Sequence, residues 1–139
     1  VIPYFRERRA GTLVNVTSSV ALAPMPLVSA YTASKLAIEG FTESLAYELS
    51  AFGVRTKIVQ PGYGPTTAFT ASSAERMRGL IPPAYEPYAT QFLARNGSGK
   101  TTAELAVAKA VWLAVTDGSD IHAVLNGYVS IGKVRCAPF

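Results

Sequence analysis

Two short β-branched runs, held apart by one long helical pattern, constrain this chain more than any other feature. "TLVNVTSS", residues 12–19, and "VRTKIVQPG", 54–62, read as strands. Both are apolar and rich in valine, isoleucine and threonine; one ends in small hydroxyl residues, the other at Pro61. Between them a helix should begin around Ser29 and run to about Phe52. Leu36, Phe41, Leu45, Leu49 and Phe52 offer it one apolar stripe, and Gly53 a stop. A connection of helical length is what a parallel strand pair needs, whereas an antiparallel pair needs only a tight turn. The alternation extends in both directions. "VIPYFRERRAG" reads as the polar end of a helix stopped at Gly11. Thr101 and Glu104 form a T-x-x-E capping box ahead of "AELAVAKAVWLAV", a helix that stops near Asp117–Gly118, and a last strand is expected within 123–132. The order predicts an α/β fold with a parallel sheet and right-handed crossovers. The region 62–99, with its prolines and aromatics, is expected to hold short helices in "SSAERMRGL" and "YEPYATQFLAR".

Composition sets the class. The chain has 139 residues, 49% hydrophobic and 16% charged, enough for one modest domain with a core. Its net charge of +4 is partly local, in "RERR" at 6–9. With no interleaved aromatics, that run reads as a solvated helix end and not as a nucleic-acid surface. Cys136, the one cysteine, excludes an internal disulfide, and no Cys/His cluster suggests a metal site. His122 lies by a Gly/Asp turn and reads as a surface or packing residue. No apolar run is long enough to cross a bilayer, and no leader pattern opens the chain, so a cytoplasmic, membrane-free setting is expected. Val1 in place of methionine points to a fragment.

The segment "SAYTASKL", 29–36, carries the chemistry. Tyr31 and Lys35 are four positions apart and share a helix face, among small residues that leave room for a flat ligand. A free phenol titrates near ~10, and a cation within about 4–6 Å favours its ionised form. Such a pair can give a proton to a carbonyl oxygen or take one from an alcohol. A second hydroxyl can hold the same oxygen, and the strand end offers Thr17, Ser18 and Ser19. In parallel α/β sheets, ligands bind at the carboxyl ends of strands.

Taken in order, "GTLVNVTSS" (11–19), "YTASK" (31–35), "LAYELSAFGVRTKIVQPG" (45–62) and "PGYGPT" (61–66) resemble the short-chain dehydrogenase/reductase family over roughly residues 3–118. The resemblance implies a Rossmann-like, doubly wound parallel sheet of which only the carboxyl-terminal part is present. It also implies hydride transfer between NAD or NADP and a carbonyl or secondary alcohol. Tyr31 then matches the catalytic acid/base and one of the cofactor-binding residues. Lys35 matches the lysine that assists it and binds the nicotinamide ribose. Ser18, thirteen residues before Tyr31, matches the serine that steadies the substrate oxygen, with Ser19 as the competing assignment. Pro61 and Gly62 match the turn beside the nicotinamide, and Thr66 the residue that reaches its carboxamide. Residues of about 67–100 match the variable substrate lid. Homo-oligomers paired through the Tyr31–Lys35 helix are implied for the full-length form. The family's glycine-rich phosphate loop and Asn-Ala-Gly segment have no counterpart in this sequence.

Two other functions compete. One is a non-enzymatic or inactive module that keeps only the pairing helix. The other is a phosphate-binding loop in "ARNGSGKT", 94–101, which matches a relaxed pattern but lacks a preceding β-branched strand.

Overall fold

The computed structural model describes residues 1–96, 101–118 and 123–125. The expectations for 97–100, His122, 126–132 and Cys136 lie outside these residues. Helix α1 spans Ile2–Arg8, strand β1 Gly11–Val16, helix α2 Ser29–Ser50 and strand β2 Val54–Pro61. Helices α3 (Ala68–Met77) and α4 (Glu86–Asn96) follow, then α5 (Glu104–Thr116) and strand β3 (Ala123–Leu125). The strands form one parallel sheet in the order β1-β2-β3.

Helix α1 ends at Arg9, not at Gly11. Arg9 takes the left-handed conformation, φ 49°, and its guanidinium donates to the Ala51 carbonyl at 2.9 Å. Gly11 serves a different purpose, because a Cβ there would lie 2.5 Å from the Phe5 ring. The basic run packs on the chain's own aromatics: Arg6 stands 4.5 Å over the Phe52 ring and Arg8 5.3 Å over Tyr4. Gly53 is the stop the sequence suggested. Its φ is +67°, and an added Cβ would meet the Arg9 carbonyl oxygen at 2.9 Å.

The pleat of β1 and β2 sorts their side chains onto two faces. Leu13, Asn15 and Thr17 share one face with Val54, Thr56, Ile58 and Gln60, as the register Leu13↔Thr56 and Asn15↔Ile58 requires. This face meets α2. Near its amino end it is apolar, where Leu45, Leu49 and Val54 are buried against Ile2, Phe5, Leu13 and Phe52. Near the strands' carboxyl ends it is polar. Asn15 donates to Thr42 at 2.7 Å, and Thr42, fully buried, donates to the Ile38 carbonyl at 2.6 Å.

The opposite face carries Val14 and Val59 against Ala110, Val111 and Ala114 of α5, whose small residues let the helix sit close. Arg55 and Lys57 hold the carboxyl end of α5 from this face. Arg55 donates to the Val115 carbonyl at 3.1 Å, and Lys57, with no exposed side-chain surface, lies 3.4 Å from Asp117.

The helices α2 and α5 therefore cover opposite faces, which gives a doubly wound sheet. Both connections step the same way across the sheet, so they differ in hand and cannot both be right-handed.

Two finer expectations fail. The stripe of α2 that faces the sheet is Tyr31, Lys35, Ile38, Thr42, Leu45 and Leu49, at steps of three and four. Leu36 and Phe41 point outward, 45% and 57% exposed. Helix α5 starts at Glu104 behind Ala103 with no side-chain cap, so Thr101 lies too early to close a capping box. No helix among the described residues is long and apolar enough to cross a membrane.

Candidate active site

Three neighbouring structural edges converge at the carboxyl end of the sheet: the end of β1, the end of β2 and the first turns of α2. Tyr31 and Lys35 lie on the sheet-facing stripe of α2 and are half-buried. The Lys35 ammonium is 5.6 Å from the Tyr31 ring centroid and donates to the Val16 carbonyl at 3.3 Å. An ammonium has three donors, so two remain for a ligand. The Tyr31 hydroxyl has no hydrogen-bond partner among the described residues. Phe69 of α3 stands beside it, ring centroids 6.2 Å apart.

Ser18 follows β1 in an extended conformation and caps the short 3-10 turn Ser19–Ala21. Its oxygen accepts from the Val20 amide at 3.4 Å, and its proton stays available to donate. No hydrogen bond joins Ser18 to Tyr31 or Lys35 among the described residues. They are brought to the same edge by the backbone: Lys35 holds Val16, and the Thr17 amide donates to Val59 of β2 at 2.8 Å. Pro61 ends β2 and Gly62 follows it, both half-buried.

Thr66 is exposed, and its hydroxyl donates to the Glu104 carboxylate at the start of α5. The Thr102 amide donates to the Tyr63 carbonyl at 2.7 Å beside it. Together these bonds close the base of the 67–100 excursion. The bond from Thr66, then the local backbone, hold the Glu104 carboxyl below its ordinary value of 4.5. A carboxylate held lower in the fold than in the unfolded chain stabilises above the ordinary range. That contribution fades as pH falls through the lowered value. Thr66→Val and Glu104→Gln should therefore each flatten the acid side of a melting-temperature profile below about pH 5. A profile identical to that of the unaltered chain would contradict this bond.

Sequence reasoning missed Glu39. One oxygen of its carboxylate accepts from the Thr17 hydroxyl and from the Gln60 amide, each at 2.7 Å. The available signal was its place four residues after Lys35 on the same helix, with a threonine and a glutamine at the two strand ends. No cluster of metal-ligating side chains occurs among the described residues.

The donor set suits one end of a nicotinamide cofactor. Among the described residues Lys35 keeps two donors, and Tyr31 offers a hydroxyl without a partner at the strand ends. The competing phosphate-loop pattern at 94–101 lacks the strand it would need, since the helix α4 leads up to it as far as Asn96.

A sequence model of the short chain dehydrogenase family matches residues 1–77, a shorter span than the sequence motifs suggested. The uncharacterized oxidoreductase YusZ of Bacillus subtilis is 39% identical over 77 residues, 55% of this chain and 28% of that protein. The solved structure of a short-chain dehydrogenase from Streptomyces avermitilis matches with TM-score 0.69 and 28% identity, over 91% of this chain and 46% of that one. An actinorhodin polyketide ketoreductase variant solved with NADPH matches with TM-score 0.63 and 27% identity, over 86% of this chain and 46% of that one. A xylitol dehydrogenase solved with NAD+, 22% identical at TM-score 0.66 over 89% of this chain and 50% of that one, shares the fold. The chain thus spans about half the length of these structures and under a third of that curated relative. With the family model matched over more than half its residues and its strands and helices superposing on solved members, the chain belongs to the short-chain dehydrogenase family.

Proposed function

We propose that this chain is the carboxyl-terminal half of an NAD(P)-dependent oxidoreductase acting on a carbonyl or secondary alcohol. The observation that carries the reading is Tyr31. Its hydroxyl has no partner among the described residues, the Lys35 ammonium lies 5.6 Å from its ring centroid, and Lys35 is itself held by the carbonyl at the end of β1. In this reading Tyr31 passes a proton to or from the substrate oxygen. Lys35 supplies the positive field and binds the nicotinamide ribose, and Ser18 donates a hydrogen bond to the same substrate oxygen. Pro61, Gly62 and Thr66 flank the nicotinamide; Thr66 must exchange its bond to Glu104 to do so. A bound nicotinamide would give the hydride to a carbonyl carbon or take it from an alcohol carbon. Residues 67–100 act as the substrate lid, with Phe69 already beside Tyr31. The missing amino-terminal half supplies the phosphate site and covers β1.

The test is a pair of substitutions in the full-length enzyme. Lys35→Met keeps the stem and removes the cation; it should lower turnover by about tenfold or more and raise the KM for the cofactor. Lys35→Arg should recover part of both. Wild-type kinetics in Lys35→Met would refute the role given to the ammonium.

A second reading has one observation behind it. Leu36 and Tyr47 on one flank of α2, and Phe41 on the other, are exposed. Such a helix suits the pairing of two copies, whether or not the chain takes part in catalysis.

A further inference from the structure

We propose that Glu39 is a positioning residue for this site: its carboxylate fixes the ends of β1 and β2 against the turn of α2 that follows Tyr31 and Lys35. The proposal rests on the acid–base reading above.

The geometry is specific. Thr17 and Gln60 are both buried, 4% exposed, and both donate to the same Glu39 oxygen. An ionised carboxylate only accepts, so it dictates which way each donor points, and hydrogen bonds to it are stronger than neutral ones. Thr17 stands between Val16, whose carbonyl holds Lys35, and Ser18, the oxygen anchor. Gln60 stands immediately before Pro61 and Gly62. One side chain on α2 thereby sets the separation between the helix bearing the acid/base pair and the two strand ends facing substrate and nicotinamide. Without it, two buried donors lose their acceptor at the place where the site is assembled.

A control lies one layer below. The Asn15–Thr42 bond has the same 2.7 Å length and joins the same helix to β1, but two residues further from Ser18. Its loss should weaken the fold without moving the site.

The experiment compares Glu39→Leu, Glu39→Gln and Thr42→Val in the full-length enzyme, well below each melting temperature. Glu39→Leu should lower kcat by about 10- to 100-fold with the cofactor KM within about threefold, as expected for misplaced reacting groups. Glu39→Gln, whose amide oxygen still accepts, should recover kcat to within about fivefold. Thr42→Val should lower the melting temperature and leave kcat within about twofold. Equal kcat in Glu39→Leu and Thr42→Val, or no recovery in Glu39→Gln, would overturn the proposal. Amide hydrogen exchange on the 139-residue chain separates this from failure of the acid–base reading. Even if the enzyme shows no nicotinamide-dependent turnover, Glu39→Leu should speed exchange at Thr17 by about tenfold and leave Leu13 unchanged. Uniform acceleration along β1 would overturn the positioning role.

Discussion

Tyr31→Phe in the full-length enzyme is expected to lower turnover by about 10²–10⁴-fold, the range for loss of a positioned acid–base group. The substitution removes one oxygen and keeps the ring. The ring is half-buried and lies 6.2 Å from that of Phe69, so packing survives and stability should change little. The hydroxyl has no protein partner among the described residues, so no buried group is orphaned by its loss. Cofactor affinity should stay near that of the wild type, because Lys35 keeps its hold on Val16 and its remaining donors. A fall in kcat with an unchanged melting temperature is the expected signature. A loss of activity that tracks a loss of folding would mean that Tyr31 serves packing alone.

Leu49→Ala should have the largest effect on stability, a loss of about 2–5 kcal/mol. Leu49 is 2% exposed and belongs to the apolar cluster of the α2–sheet seam, with Leu45, Val54 and the partly buried Ile2, Phe5, Leu13 and Phe52. Leu36→Ala, on the exposed flank of the same helix, should stay within about 0.5 kcal/mol. Denaturant titration of both variants measures the contrast, and similar midpoints would show that the seam has been misassigned.

Much of this architecture was legible in the sequence because single residues enforce it. The β-branched runs form β1 and β2, Gly53 must be glycine beside the Arg9 carbonyl, and Gly118, φ +68°, follows α5 where expected. The stripe of α2 was misread for a physical reason. Apolarity alone selects Leu36 and Phe41, whereas the face that meets the sheet turns polar through Thr42, Lys35 and Tyr31. Polar pairing across a buried seam leaves no periodic hydrophobic signal. Glu39 escaped for a related reason: a glutamate four residues after a lysine reads as a surface ion pair, and its real partners, Thr17 and Gln60, lie 22 and 21 residues away. The Thr101–Glu104 box failed because Glu104 is drawn to Thr66, a tertiary partner, at the point where the helix begins. The hand of the second connection depends on how a long insertion travels over the sheet, and short-range patterns do not carry that.

In the proposed mechanism Tyr31, with Lys35 and Ser18, serves proton transfer coupled to hydride transfer between a nicotinamide and the substrate. The most direct test of this mechanism is isotopic. The full-length enzyme is incubated with NADH or NADPH deuterated at the hydride-donating carbon and a panel of apolar ketones and aldehydes. Deuterium should appear at the carbinol carbon of the product in proportion to nicotinamide oxidised, and Tyr31→Phe should suppress this transfer while still binding the nicotinamide. Oxidation of the nicotinamide with no label at carbon, or label transfer at an undiminished rate in Tyr31→Phe, would contradict the mechanism.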